Sequence, residues 1–291
     1  MLTNRIDANE DSATKLILRR ASEFTVEELT NAYNQTRVDY IVPMPMNARR
    51  LNEYIHNYDV DMERSAVATM DGHILGISML GVRPGRCWCT RLGVLPVKRR
   101  RGTGRTLMID HIQKAREMGA ECMILEVIKD NVPAYQLFKQ LGFYDVRVLL
   151  ILRRPPGALK ADVGRYKVTF LEPEEVPALL AQRRGTPSWL DETPSLLNAG
   201  SLSALRVELV NGGRGWLVYQ STIFQLGRLV LQTEAGDPRE VARALVHALH
   251  KEYPIKDTNT ENLPLNDPHL PGLLDMGYLE SFRRIEMRLD L

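Results

Sequence analysis

Short runs of apolar residues fill the first half of the chain and give way at defined points to a three- and four-residue spacing. Leu16-Ile17-Leu18-Arg19 reads as a strand, and helices are expected from about Thr25 to Tyr33 and from about Ala48 to Tyr58. Strand formers then occupy Ser65 to Met70, His73 to Val82 and Arg86 to Leu95. Asp71-Gly72, between the first two, is a two-residue hairpin signal. After Gly104 the pattern turns helical: Met108, Ile112 and Ala115 share one face, and Gly119 stops the helix. A strand (Met123 to Ile128), a helix (Val132 to Leu141) and strands from Phe143 to Leu152 complete the order β-α-α-β-β-β-α-β-α-β-β.

The second half repeats this order in weaker form. Lys167 to Leu171 reads as a strand and Glu174 to Arg183 as a helix. Strands follow near Ala204 to Val210, Trp216 to Ser221 and Leu226 to Gln232, then a helix from Arg239 to Glu252. A short segment near Ile255, a short helix and Tyr278 to Leu289 close it. Asn131, Pro133, Gly142 and Phe143 line up with Asn266, Pro268, Gly277 and Tyr278, each 135 residues later. Arg153-Arg154-Pro155-Pro156-Gly157 can continue neither a helix nor a central strand. The boundary is therefore expected there, giving domains 1–154 and 155–291.

Composition narrows the function. With 44% hydrophobic and 25% charged residues among 291, the chain is neither disordered nor fibrous. Lys plus Arg is 38 against 36 Asp plus Glu, so any electropositive site must arise from local clustering, and nucleic-acid binding is not expected. The polar N-terminus is no signal peptide, and the densest apolar run, Val148 to Leu152, is too short for a membrane helix. A cytoplasmic protein with no membrane contact is expected. Three cysteines, Cys87, Cys89 and Cys122, suit free thiols, and Cys87-Trp-Cys89 lacks the further ligands a zinc site needs. No metal is expected.

Candidate chemistry concentrates in Leu92-Gly-Val-Leu-Pro96-Val-Lys98-Arg99-Arg100-Arg101-Gly102-Thr103-Gly104-Arg105-Thr106, which joins a strand to a helix. Two glycines one residue apart let the backbone approach a ligand closely. A helix start offers unpartnered N–H groups and a partial positive charge, and the basic run adds countercharge, so the segment suits a pyrophosphate. It is neither a P-loop nor a dinucleotide fingerprint. A solvated basic face is the other reading of Lys98 to Arg101.

In its surroundings this segment resembles motif A of the GCN5-related N-acetyltransferases, Gln/Arg-x-x-Gly-x-Gly/Ala, here Arg99-Arg-Arg-Gly102-Thr-Gly104 preceded by Val94 and Pro96. Leu125-Glu126-Val127 followed by Asn131-x-x-Ala134-x-x-Leu137-Phe138-x-x-x-Gly142-Phe143 is similar to the family's second block. The resemblance covers about residues 14 to 153. It implies an α/β fold, two domains each with a central mixed sheet flanked by helices, and acetyl-coenzyme A as cosubstrate. By the same resemblance the amides from Arg100 through Arg101, Gly102, Thr103, Gly104, Arg105 and Thr106 would hold the pyrophosphate, with Arg99 opening the motif. Leu92, Gly93 and Val94 would pair with the pantetheine arm, and Asn131 would lie beside it. Asn131 is also a good helix N-cap.

An amine attacks a thioester only when neutral. A lysine of pKa about 10.4 is neutral in fewer than about one molecule in a thousand at pH 7, an α-amine near 8 in about a tenth. The resemblance offers Glu126, which matches a strand glutamate acting as base in the ribosomal-protein N-terminal acetyltransferase branch. A glutamate paired with a nearby arginine is the alternative. Phe138 stands where the family often has a proton-donating tyrosine, and Tyr135, one turn earlier, is either a substitute or ordinary packing. Tyr40, Met44 and Met46 precede the second helix, where the family often binds acceptors; a plain hydrophobic staple is the other reading of them. His111 reads as solvated or packed.

In the second half, Glu234-Ala-Gly236-Asp237-Pro238-Arg239 occupies the phosphate-loop positions, with carboxylates for cations and one amide missing. A degenerate copy without coenzyme is expected. The resemblance thus implies an N-acetyltransferase acting on an amine of a small molecule or peptide; the alternative is a non-catalytic acyl-coenzyme A-binding or regulatory protein. Oligomeric state cannot be read from the sequence.

Overall fold

The computed structural model describes residues 15–157 and 162–291; the polar stretch 1–14 lies outside them. The first half runs β1 (Ile17–Arg20), α1 (Val26–Gln35), α2 (Ala48–Asn57), β2 (Ala66–Met70), β3 (His73–Arg83), β4 (Arg86–Val94), α3 (Thr103–Glu117), β5 (Cys122–Ile128), α4 (Val132–Gln140) and β6 (Tyr144–Arg154). The second runs β7 (Tyr166–Leu171), α5 (Val176–Ala181), α6 (Thr193–Ala199), β8 (Leu202–Leu209), β9 (Arg214–Ser221), β10 (Gln225–Ala235), α7 (Pro238–Glu252), β11 (Asp257–Pro264), α8 (Leu270–Asp275) and β12 (Leu279–Asp290).

Local chemistry sets several of these boundaries. Thr25 and Glu28 exchange hydrogen bonds in a capping box that starts α1. The Asn47 side chain caps α2 by accepting from the Arg50 amide. Asp71 and Gly72 both take positive φ, 52° and 77°, as a tight β2–β3 turn requires. Among the described residues no helix is long and apolar enough to cross a membrane.

Among the described residues twelve strands form one mixed sheet in the order β1-β2-β3-β4-β5-β12-β6-β11-β10-β9-β8-β7. This corrects one expectation. The span read as more than one strand is a single strand, β6, from Tyr144, and the strand beside β5 comes from the far end of the chain. β12 pairs antiparallel with β5 from Arg284↔Ile128 to Asp290↔Cys122, and with β6 on its other edge. β6 in turn pairs with β11 of the second half. Each half therefore has its last strand lodged in the other's sheet.

The 135-residue offset holds in three dimensions. α3 and α7 occupy equivalent spans. Gly142 and Gly277 both adopt positive φ, and the Phe143 and Tyr278 amides donate back to Phe138 O and Leu273 O, in the same places one repeat apart. Leu149 lies opposite Arg284, its own counterpart, so a pseudo-twofold axis passes through the β6–β12 pair.

Apart from the sheet, the halves meet through a segment that the sequence reading left without structure. The 3-10 turn Trp189–Asp191 and α6 pack on α2, and the Trp189 ring stacks on Trp88 of β4 at 5.7 Å. Beside them Arg83 is buried and fully engaged. Its Nε donates to Asp59 at 2.8 Å, Nη1 to Glu192 at 2.7 Å and Nη2 to Ser195 Oγ at 2.7 Å. Arg86 donates to the same Glu192 carboxylate. Removing one partner of a buried ion pair leaves an uncompensated charge and typically costs about 3–5 kcal/mol. Arg83→Met is expected to lose that much stability in urea denaturation; a change below about 1 kcal/mol would show that this network does not hold the halves together.

Candidate functional site

β4 and β5 are parallel neighbours only from Arg86↔Cys122 to Cys89↔Leu125. Beyond Cys89 they part. Two residues of β4, Arg91 and Leu92, stand opposite one of β3, because the register slips between Ile77↔Gly93 and Met79↔Thr90, and Arg91 takes φ 55° at the bulge. The β5-facing edge of β4 is thus open from Thr90 onward. A Cβ on Gly93 would lie 2.3 Å from Thr36 Oγ1, so only glycine lets the end of α1 come this close to β4.

The gap between the strands opens into a cavity of about 250 Å³. Leu92, Glu126, Asn131 and Phe138 line it, so four residues anticipated from the sequence are brought together. Tyr40 and Met44 line it too, while Met46 is turned away, its backbone amide and carbonyl both held by the Asn34 side chain. Asn131 caps α4 by accepting from the Ala134 amide, and its Nδ2 donates to Tyr40 Oη at 3.4 Å.

From the cavity, Gly93 and Val94 lead outward to the basic loop. Gly102 caps α3 in the left-handed region, φ 87°, and a Cβ there would meet nothing within 4 Å. The amides of Arg100 through Arg105 donate to no acceptor among the described residues; the first helical bond is Thr106 N to Gly102 O at 2.9 Å. Six successive amides stand open to an anion, beside Arg100, Arg101 and Arg105, which make no ion pair among the described residues. Arg99 is different. Its guanidinium clasps Asp39 at 2.8 Å and donates to Thr36 O and Val94 O, so it ties the loop to α1 instead of serving as mobile countercharge.

Glu126 is half-buried at the base of the cavity. Its Oε2 accepts from Trp88 Nε1 at 2.7 Å and its Oε1 from Asn262 Nδ2 at 3.3 Å. Loss of hydration raises its pKa to about 7, against the opposing pull of Arg284 and the Trp88 hydrogen bond; Glu286 and Asp191 push the same way as burial. No ion pair to an arginine forms within 4 Å among the described residues. Arg284 donates instead to Asn262 Oδ1 at 2.8 Å. Tyr135 is not brought to this place. Its hydroxyl, at the protein surface, donates to Asp145 at 3.0 Å.

The sequence reading missed the contribution of the second half. Glu261 reaches the cavity, and Asn262 reaches Glu126, where β11 is irregular between Thr260 and Leu263, with Asn262 at φ 55°. Leu190 and Arg284 complete that wall. The only available signal was an asparagine, a residue that tolerates the left-handed region, inside a weak strand.

The cysteines are free and buried, and burial pushes the Cys89 thiol up to about 12 and Cys87 up to about 11. His111 is packed in the core, and burial holds it neutral with its pKa near 3. At the phosphate-loop position of the second half, the Asp237 side chain accepts from the Arg239 amide, Pro238 has none to offer, and Glu234 is paired with Arg206 and Arg214.

Residues 26–143 match the model of the Acetyltransferase (GNAT) family. Solved structures share the fold over nearly the whole chain. A tandem GNAT protein from the clavulanic acid biosynthesis pathway is 14% identical, with a TM-score of 0.63 over 95% of this chain and 98% of its own. A GCN5-related N-acetyltransferase from Sphaerobacter thermophilus is 15% identical, with a TM-score of 0.69 over 94% and 95%. The glucosamine N-acetyltransferase region of a fungal multi-domain beta-N-acetylglucosaminidase is 17% identical, with a TM-score of 0.75 over 95% of this chain and 38% of that one. No curated protein sequence matches significantly. With its open strand edge and its bare helix start, the segment 26–143 matches the GNAT acetyltransferase family, and the chain as a whole consists of two halves that share the GNAT fold.

Proposed function

We propose that this protein transfers the acetyl group of acetyl-coenzyme A to the amine of an acceptor by direct attack, at the site of residues 1–154, while residues 155–291 hold no coenzyme and wall the acceptor side. The observation that carries this reading is the run of six open amides, Arg100 to Arg105, leading along an unpaired strand edge to a desolvated carboxylate. Asp237 and Pro238 deny the second half an equivalent cradle.

Acetyl-coenzyme A supplies a thioester: the amine nitrogen bonds to its carbonyl carbon, the C–S bond breaks, and the thiolate departs. The loop amides and Arg100, Arg101 and Arg105 bind its diphosphate, each charge-assisted bond contributing about 1.5–3 kcal/mol. Leu92, Gly93 and Val94 align its arm, and an amide near Val94 polarises the carbonyl. Glu126, directly or through water, takes the proton that the attacking amine gives up. A thiol of pKa about 8.5 leaves without a dedicated acid, so Phe138 is tolerable there. Cys89 remains a thiol at neutral pH and takes no acetyl group itself.

Titration calorimetry with acetyl-coenzyme A, followed by thiol release with an amine panel, tests the proposal. Gly102→Val forces a branched side chain into φ 87° and into the space the diphosphate needs. Affinity should fall about 100-fold or more, the equivalent of two such bonds, with the fold retained. Unchanged affinity would remove the loop from coenzyme binding. Tight binding without turnover on any amine would favour a regulatory protein.

A further inference from the structure

Among the described residues two arginines on the cavity wall have no carboxylate partner, unlike Arg83 and Arg284. Arg83 meets two carboxylates and a hydroxyl, and Arg284 meets Glu261 and Asn262. Arg91 donates only to Tyr33 Oη, at 3.0 Å, and its Nε is buried with no acceptor. Arg37 spends two donors on the single Leu92 carbonyl, both at 3.4 Å, and its Nε is likewise buried without an acceptor. Neither reaches a carboxylate within 4 Å among the described residues.

Aromatic rings hold both in place. The Arg91 guanidinium lies 4.1 Å from the Tyr54 ring centre and 5.3 Å from that of Tyr33; Arg37 lies 4.5 Å from Tyr33 and 4.8 Å from Tyr40. Stacking fixes each plane while leaving in-plane N–H donors unspent. Arg91 also sits on the bulge, φ 55°, so the backbone itself turns this side chain toward α1 and α2 instead of along the strand. A desolvated guanidinium lacking a counterion costs free energy unless a ligand supplies one. Glu126 lies across the same cavity, where the amine must arrive.

Resting on the acetyltransferase reading above, we infer that the acceptor is a small molecule carrying a carboxylate as well as the amine, an amino acid or close analogue, whose carboxylate docks on Arg91 and Arg37 while its amine faces Glu126. A planar carboxylate matches the arginine fork, and a cavity of about 250 Å³ suits a molecule of that size. The aromatic wall of Tyr54, Tyr58 and Trp88 receives the rest of the molecule.

Amino acids of each side-chain class are assayed beside their carboxamides and their decarboxylated amines, both for acetylation by acetyl-coenzyme A and for binding to the coenzyme A-loaded protein by calorimetry. The acid-bearing member of the best pair should lead by about 10–100-fold in affinity and in kcat/KM, the worth of one charge-assisted pair. In Arg91→Met that lead should shrink to about threefold or less, through KM rather than kcat, with Arg91→Lys restoring part of it. Arg37→Met, away from the bulge, is a second variant expected to weaken it. Amides or decarboxylated amines performing as well as the acids, or a preference intact in both variants, would overturn the inference while leaving the transferase standing. Acids that bind selectively but are never acetylated would support the docking site and sink the enzymatic reading instead.

Discussion

Glu126→Gln is expected to lower kcat/KM on the order of 10²–10⁴-fold near neutral pH while leaving acetyl-coenzyme A affinity within about twofold. The reasoning starts from the carboxyl's surroundings. A base must be ionised before attack, and burial raises this group to about 7, so wild-type activity should climb through an acid limb centred there. Its raised pKa also improves its match to an ammonium proton. The acceptor amine contributes a second limb at its own higher pKa, which the variant keeps; only the limb near 7 should vanish. Stability provides an independent check with a definite sign. A carboxyl whose folded pKa exceeds its unfolded value contributes stability that is fully present below about 4.5 and is lost as pH rises through about 7. Gln is free of that loss. Although its amide faces the Asn262 donor at a pH-independent cost, the melting temperature of the variant relative to wild type should rise between pH 5 and pH 8. A pH-independent difference in melting temperature, with an unaltered acid limb, would deny Glu126 the role of base.

How much of this could be read from the residues differs between the two halves of the site. The helix start was legible because it is local: it needs Gly102 at positive φ and a glycine two residues on, and both needs appear within three residues of chain. The repeat was legible for the same reason. Gly142-Phe143 and Gly277-Tyr278 perform one turn twice, a left-handed glycine followed by an aromatic buried in the core, and such turns leave the same residues wherever they occur. The wall around Glu126 is assembled from distant pieces. Asn262 reaches Glu126 across 136 positions by a kink that an otherwise polar strand, Asp257–Pro264, gives no periodic hint of. Trp189 stacks on Trp88 from a short turn between loops, and α6, seven residues long with Pro194 near its start, falls below the length at which helical periodicity becomes visible. Tyr135 shows the converse limit. Its place one turn before Phe138 was read correctly, but a hydroxyl's direction depends on what lies opposite, and here that is Asp145 at the surface.

A chain ending at Gly157 is expected not to fold as an independent monomer, although it contains every residue proposed to bind the coenzyme. Strand order decides this. Without β12, β5 and β6 lose the strand that lies between them, and the β6 edge toward β11 is bared as well. Met287 is fully buried in the core formed by Met108, Met123, Leu125 and Phe143 beneath α3 and α4, with Ile285 and Leu289 packed against it. Emptying a buried Met site alone costs about 2–5 kcal/mol, and each backbone bond lost about 0.5–1.5 kcal/mol more. Against a total stability of about 5–15 kcal/mol, little or nothing remains. The bared edges are also templates for pairing with another chain, so the fragment should aggregate or form exchanged dimers. Size-exclusion chromatography with amide-resolved NMR would check this. Supplying residues 162–291 in trans should restore a cooperative transition, because the same chain holds the missing strand. A monomeric 1–157 that melts cooperatively and binds acetyl-coenzyme A would mean that the exchanged strands are ornament, and that residues 1–154 form a self-sufficient domain after all.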